Sequence, residues 1–169
     1  MNEKTRSLRW GHININVRDL DRSIEFYGKL GFRVFLPGIP YLNLTRSPEA
    51  RPLPDAAAEA LGVPGGTRGR ACILDLDGGF PKIDLTELEG VVSRSPLTTP
   101  DTGIVRICLG SSDLAADVAR LTAEGVEFLA GPSATHDGRA EIAVCADPDG
   151  TLIELIEVHL ERWPELPTP

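Results

Sequence analysis

The chain has 169 residues and a mass of 18.2 kDa, a length that favours one domain. Hydrophobic residues make up 41% and charged residues 25%, with 17 glycines, the composition of a globular chain and not of a disordered one. Seventeen Lys and Arg against 25 Asp and Glu leave a net charge of −8 and a pI near 4.9. No basic stripe is present to neutralise phosphates, which argues against nucleic acid as a partner, and an acidic surface is repelled by anionic membranes.

In chain order, Leu8–Val17 alternates Ile13, Ile15 and Val17 with His12, Asn14 and Asn16, the period of a half-buried strand. Asp19 is a helix cap, and Leu20, Ile24, Tyr27 and Leu30 form the apolar stripe of the helix behind it. Gly31 fits the left-handed position that ends a helix, and Phe32–Leu36 reads as a strand. Residues 46–69 are rich in Pro and Gly, with one short helix expected from Asp55 to Leu61. They are expected to form a flap over the site, outside the sheet. Two further strands follow, closed by Gly78-Gly79, and residues 89–102 read as a linker. A second series then begins: strand Gly103–Gly110, cap Asp113, helix stripe Leu114, Val118 and Leu121, terminating Gly125, and strand Val126–Ala130. Its last turn is Asp147-Pro148-Asp149-Gly150, and the tail RWPELPTP reads as frayed.

The two series are copies. Gly11–Leu20 lies over Val105–Leu114 at an offset of 94, which sets His12 against Arg106, Asp19-Leu20 against Asp113-Leu114 and Gly31 against Gly125. Ile73–Glu87 lies without gaps over Ala143–Glu157 at an offset of 70, which sets Asp84 against Glu154 and Glu87 against Glu157. Each copy is β-α-β-β-β, and the difference of 94 − 70 = 24 residues is the insertion. The expected fold class is α+β. Two βαβββ modules, about 8–88 and 103–158, would form a cupped, open barrel-like sheet with helices outside, within one domain spanning 1–169.

Paired βαβββ units, a His in the first strand, Asp-Leu opening the helix, Tyr-x-x-x-Leu-Gly-Phe at its end and the closing Asp-Pro-Asp-Gly-Thr-Leu-Ile-Glu-Leu-Ile-Glu resemble the vicinal oxygen chelate superfamily. This is the group of glyoxalases, bleomycin-resistance proteins and extradiol dioxygenases. The segment Ala60–Gly66 with Arg70-Ala71 looks most like the methylmalonyl-CoA epimerase and lactoylglutathione lyase-like branch. The resemblance implies a cup that holds a divalent metal on the first and last strands of both modules, at His12, Asp84, Arg106 and Glu154. It also implies a homodimer. Arg106 departs from the usual His, since a guanidinium is always protonated and only donates.

Strand alternation agrees in placing Ile13, Ile15, Val105, Ile107, Leu109, Ile83, Leu85, Ile153 and Leu155 under the helices. The other face carries His12, Asn14, Arg106, Cys108, Asp84, Thr86 and Glu154. Two readings stay open for that face. In one, His12, Asp84 and Glu154 hold a divalent cation such as Zn, Ni, Co, Mn, Mg or Fe, with Arg106 facing a substrate oxyanion. In the other, which is favoured, no metal is bound and Arg106 bridges Asp84 and Glu154.

The function expected is that of a small-molecule enzyme performing isomerase, lyase or cyclase chemistry on a carbonyl compound through a stabilised enolate or oxyanion. Glu154, Asp84, Arg106 and His12 are its candidate catalytic residues, and Asn14, Cys108, Thr86 and Arg70 its substrate contacts. A metal-free antibiotic- or ligand-binding protein is the alternative, although aromatics are only 5% of the chain. Extradiol dioxygenation comes third, because Arg106 removes the second His of an iron triad. Glu87 and Glu157 read as solvated charges at strand ends, His159 as a surface residue and His136 as an exposed turn residue. Cys72, Cys108 and Cys145 read as buried free thiols in a reducing compartment. No apolar run spans a bilayer and residues 1–10 lack a secretory leader's apolar stretch, so a cytoplasmic location is expected.

Overall fold

Asp19 and Asp113 open two helices of ten residues in the same way. The Asp19 carboxylate accepts from the Arg22 amide and the Asp113 carboxylate from the Ala116 amide, which satisfies orphan donors of each first turn. Past the far ends, Gly31 and Gly125 adopt φ of 99° and 83°, a left-handed conformation that residues with a Cβ resist. The computed structural model describes residues 8–92 and 94–164. The expectations for the first seven residues and for the tail beyond Pro164 lie outside the described residues. The chain divides into two compact units between residues 92 and 93.

Unit 1 contains β1 (His12–Asn16), α1 (Leu20–Lys29), β2 (Arg33–Leu36), β3 (Gly38–Ile39), a 3₁₀ turn (Pro40–Leu42), β4 (Leu44–Thr45), β5 (Arg51–Pro52), α2 (Asp55–Leu61), β6 (Arg68–Asp75) and β7 (Lys82–Leu88). Its sheet runs β1-β7-β6-β2, with β5 also paired to β6 and β3-β4 as a separate hairpin. β1 and β7 are parallel, so that Asn14 pairs with Asp84 and Asn16 with Thr86, while β6 and β7 are antiparallel. Ile15, Val17, Ile83 and Leu85 are buried on one face, as are Leu20 and Tyr27 of α1. The Tyr27 ring meets Phe26 and Phe32 edge to face at 5.5 and 5.7 Å.

Unit 2 repeats the plan with β8 (Arg106–Gly110), α3 (Leu114–Ala123), β9 (Phe128–Ala134), β10 (Ala140–Ala146) and β11 (Leu152–Val158). The sheet order is β8-β11-β10-β9, again with a parallel first–last pair in which Cys108 meets Glu154. Leu114, Leu121, Val126, Ala143, Cys145, Ile153 and Leu155 are buried within it. β1 and β8, like α1 and α3, keep the offset of 94 residue for residue, and β7 and β11 keep that of 70. The fold is α+β with several sheets and no closed barrel. Among the described residues no helix is long and apolar enough to cross a membrane.

Three expectations are corrected. Residues 46–69 do not lie outside the sheet: β5 pairs with β6 and α2 packs inward. Leu53 and Ala58 are buried in one cluster with Ile39, Leu42, Leu44 and Ala71, because the insertion carries apolar side chains of its own. Glu87 and Glu157 are not strand-end solvating charges. The Glu87 carboxylate accepts from the first amide of α1 (Leu20 N, 2.7 Å), and Glu157 accepts from the first amide of α3 (Leu114 N, 2.7 Å). Each carboxylate thus sits at the positive end of a helix dipole, where a negative charge is stabilising. Cys72 and Cys145 are buried free thiols as expected, but Cys108 is exposed, since it occupies the outward register of β8.

Two outcomes follow for stability. Leu53→Ala should cost about 2–5 kcal/mol in urea unfolding, the range for a buried Leu, whereas a detached flap would show almost no change. Glu87→Gln and Glu157→Gln should each cost about 1 kcal/mol, because each removes a charged acceptor from a helix N-terminus.

Candidate functional site

The parallel β1–β7 pairing lines up even-numbered side chains on the face away from α1. His12, Asn14, Lys82, Asp84 and Thr86 share it with Ala71 and Ile73 of β6. The apolar cluster that the insertion completes packs on Ala71 and Ile73, so it covers the β6 side of this polar face. That packing carries Tyr41, in the 3₁₀ turn Pro40–Leu42, to the carboxylate at the centre.

Asp84 is 1% exposed. Its Oδ2 accepts from the Tyr41 hydroxyl at 3.3 Å, and the His12 Nε2 stands 3.7 Å from the same oxygen. Its Oδ1 is buried and has no hydrogen-bond partner among the described residues. Burial pushes the Asp84 carboxyl above the usual carboxylate range, opposed by the His12 imidazole and the Tyr41 hydrogen bond. The Tyr41 phenol is itself pushed up, by desolvation first and then by the Asp84 charge, which keeps it a hydrogen-bond donor at neutral pH. Buried side-chain oxygens without partners are rare, and among the described residues Ser23 Oγ of α1 is the other one. Beside this group, Thr86 donates to Asn14 Oδ1 at 2.8 Å. On the same face Lys82 pairs with Asp75 and lies 5.0 and 4.8 Å from the ring centres of Phe35 and Phe80.

In unit 2 the positions equivalent to Asn14 and Asp84 are Cys108 and Glu154. Arg106 Nε donates to Glu154 Oε2 at 2.6 Å, a short charge-assisted bond, and its Nη groups carry no partner among the described residues. Burial and the neighbouring Glu154 push the Cys108 thiol up to about 11, opposed by Arg106. Cys108 is therefore accessible and unreactive at neutral pH.

Other expected contacts lie elsewhere. Arg70 pairs with Glu87 across β6–β7, on the helix side and not on the face of Asp84. Its guanidinium is taken up by Asp21 at 2.5 Å, Glu87 at 3.3 Å and the carbonyl oxygens of Ser47 and Arg46. It serves the helix cap and the insertion, and is not left for a substrate group. His159 is not a surface residue: its side chain is 13% exposed and faces Glu141 at 3.4 Å, Glu161 at 3.7 Å and Glu157 at 3.9 Å. His136 is exposed, as expected. Sequence patterning does not single out Tyr41, since a lone Tyr in Gly-Ile-Pro-Tyr-Leu carries no spacing signal. The twin roles of Glu87 and Glu157 are encoded in the offset of 70, which sets one against the other.

The donor set decides how a divalent metal fits. Unit 1 offers His12 Nε2 and Asp84 Oδ2. Unit 2 offers a carboxylate already holding a guanidinium, and a guanidinium cannot ligate. Among the described residues no three His, Cys, Asp or Glu side chains form a metal-holding group. The residues do not supply the four ligands that the resemblance implies, because a guanidinium stands at one of the positions.

The model of the Glyoxalase/Bleomycin resistance protein/Dioxygenase superfamily matches residues 9–155. No curated protein matches the chain. Among solved structures, a glyoxalase family protein from Bacillus cereus is similar at 18% identity and a TM-score of 0.71, over 94% of this chain and 99% of that one. The trypanothione-dependent glyoxalase I of Leishmania major is 26% identical with a TM-score of 0.57, over 89% of this chain and 87% of the other. A glyoxalase I mutant from Zea mays is 23% identical with a TM-score of 0.59, over 88% of this chain but 44% of that one.

The thiol environment predicts an order of labelling. At pH 7.5 an aromatic disulfide reagent should modify Cys108 slowly, faster as pH rises toward 11, and should reach Cys72 and Cys145 only on unfolding. Rapid stoichiometric labelling at neutral pH would contradict the raised Cys108 thiol.

Proposed function

We propose, for a chain that belongs to the Glyoxalase/Bleomycin resistance protein/Dioxygenase superfamily, that it is a small-molecule enzyme acting on a carbonyl compound through an enolate. The observation that supports this is Asp84: a buried carboxylate with one oxygen unpartnered among the described residues and the other shared by His12 and Tyr41. A buried carboxylate with a raised proton affinity, reached through a half-exposed imidazole and an exposed phenol, suits a general base that removes a proton α to a carbonyl. His12 stands beside the accepting oxygen, where it can receive or return the proton. Asn14 and Thr86, bonded to each other, supply polar contacts along the same strands. Isomerisation, elimination and cyclisation all begin with that proton transfer.

On the polar face of unit 2, Arg106 is the candidate contact for an anionic oxygen of a ligand. Its Nε is occupied by Glu154 while its Nη donors are open among the described residues, and Cys108 beside them adds only contact area. Nothing in this scheme needs a metal ion or an organic cofactor. A cytoplasmic homodimer with a small-molecule substrate completes the reading, and sedimentation of the purified protein tests the dimer. A ligand-binding reading draws support from the exposed rings of Phe35, Tyr41 and Phe80 around the polar face of unit 1, which could hold a flat apolar molecule without turning it over.

Exchange of the α-protons of 2-hydroxyacetophenone in D₂O, followed by NMR, separates these readings. The unmodified protein should exchange them above the buffer rate, and Asp84→Asn should lose roughly 10²–10⁴-fold while still binding the ketone. Exchange unchanged in Asp84→Asn removes Asp84 as the base. Binding of the ketone with no exchange by the unmodified protein favours the ligand-binding reading.

A further inference from the structure

The inserted residues do more than stabilise unit 1. The buried cluster they complete, in which Leu53 and Ala58 join Ile39, Leu42 and Leu44, is seated on Ala71 of β6, two strands from β1. The 3₁₀ turn within it holds Tyr41 against Asp84. Leu42, the next residue, is 8% exposed while Tyr41 is 62% exposed. The backbone of the turn is thus fixed from one side and the phenol is presented to solvent on the other. Tyr41 accounts for no part of the apolar cluster, and its hydroxyl bond to Asp84 is long at 3.3 Å. A phenol retained for packing would be turned inward; one retained for a strong structural hydrogen bond would be shorter.

From this placement we propose that Tyr41 is a further catalytic residue, whose hydroxyl donates a hydrogen bond to the carbonyl oxygen of the substrate while Asp84 Oδ2 takes the α-proton. The proposal rests on the enzymatic reading above. The two oxygens lie close enough to address neighbouring atoms of one carbonyl compound: the oxygen of the C=O group by Tyr41, the hydrogen on the adjacent carbon by Asp84. In the step, the α C–H bond breaks and its proton passes to Asp84 Oδ2. The electron pair of that bond forms the carbon–carbon double bond, and the π pair of the carbonyl moves onto oxygen. The Tyr41 O–H is not transferred; it strengthens its bond to the developing oxyanion, and in doing so it leaves Asp84 free to act.

Pro40, immediately before Tyr41, lines a cleft of about 280 Å³ together with Leu36, Pro37, Leu44, Asn43, Thr45 and Arg51. 2-Hydroxyacetophenone, a ketone with exchangeable α-protons, is a probe of the carbonyl class that Tyr41 and Asp84 would take.

The test is Tyr41→Phe, which keeps the ring and deletes the hydroxyl. Exchange of the probe's α-protons should fall about a hundredfold with its affinity changed less than about threefold, the pattern of a donor felt only in the transition state. Benzohydroxamate, which mimics the enolate's paired oxygens, should bind the unmodified protein and lose at least tenfold in affinity to Tyr41→Phe. Exchange within threefold of the unmodified protein, or a parallel loss of ketone affinity and exchange, overturns the proposal. Should the unmodified protein show no exchange, the enzymatic reading fails by itself. Benzohydroxamate then decides Tyr41 separately: a tenfold loss keeps the hydroxyl as a contact for a ligand oxygen, and equal affinity dismisses it. Thermal unfolding of Tyr41→Phe should change only slightly, since the ring makes no part of the buried cluster and the bond lost to Asp84 is long at 3.3 Å.

Discussion

Parallel pairing of the first and last strand in each unit is the constraint on which the rest depends. A parallel pair requires a long crossover, and each unit supplies it as a helix and two further strands. The return strand then lies beside the opening strand in a single register, Asn14 with Asp84 and Cys108 with Glu154. Side-chain alternation does the remainder. Apolar positions turn toward the helix, and the polar positions of both strands come to one face. At the end of each return strand, a Glu reaches back to the first amide of the helix that made the crossover, so strand register and helix position are tied by the same carboxylate.

The two units resolve the charge problem of that face in different ways. Glu154 keeps a guanidinium against it, a short and partly exposed pair whose contribution to stability is modest because solvent screens it. Asp84 has no cation of that kind. It is enclosed, its neighbours are an imidazole at 3.7 Å and a phenol at 3.3 Å, and one of its oxygens goes unsatisfied among the described residues. Leaving a buried acceptor unmade costs roughly 1–3 kcal/mol. This asymmetry sets Asp84 apart from the otherwise matched Glu154, and the proposed function rests on it.

The insertion explains how the enclosure arises in one unit and not in the other. Its apolar side chains have no partner in the repeated plan and settle on the free part of the polar face, over Ala71 and Ile73. Closing a long surface loop adds little entropic cost with length, so 24 extra residues are tolerable once they bring buried Leu53 and Ala58 of their own. The cluster that Leu53 joins also holds Leu42, whose neighbour Tyr41 reaches Asp84. Packing of unit 1 and the placement of Tyr41 therefore involve the same cluster.

The amino-acid sequence by itself determines the βαβββ plan twice over. The offsets of 94 and 70, the alternation of Ile13, Ile15 and Val17, the caps Asp19 and Asp113 and the stops Gly31 and Gly125 are local or periodic signals, and such signals are legible along the chain. Belonging to one polar face within each unit is likewise readable for His12 and Asp84, and for Arg106 and Glu154, since a strand has only two faces. What the residues do to each other is decided by tertiary contact. Glu87 and Glu157 look like solvated strand ends until the helix docks above them. Arg70 looks available until Asp21 arrives from the helix and Ser47 from the insertion. Tyr41 lies 43 residues from Asp84, in a stretch with no period of its own, and only the burial of a separate apolar cluster brings them together. Periodicity carries information along a strand or helix axis; it carries none about which distant loop will be pressed against its face.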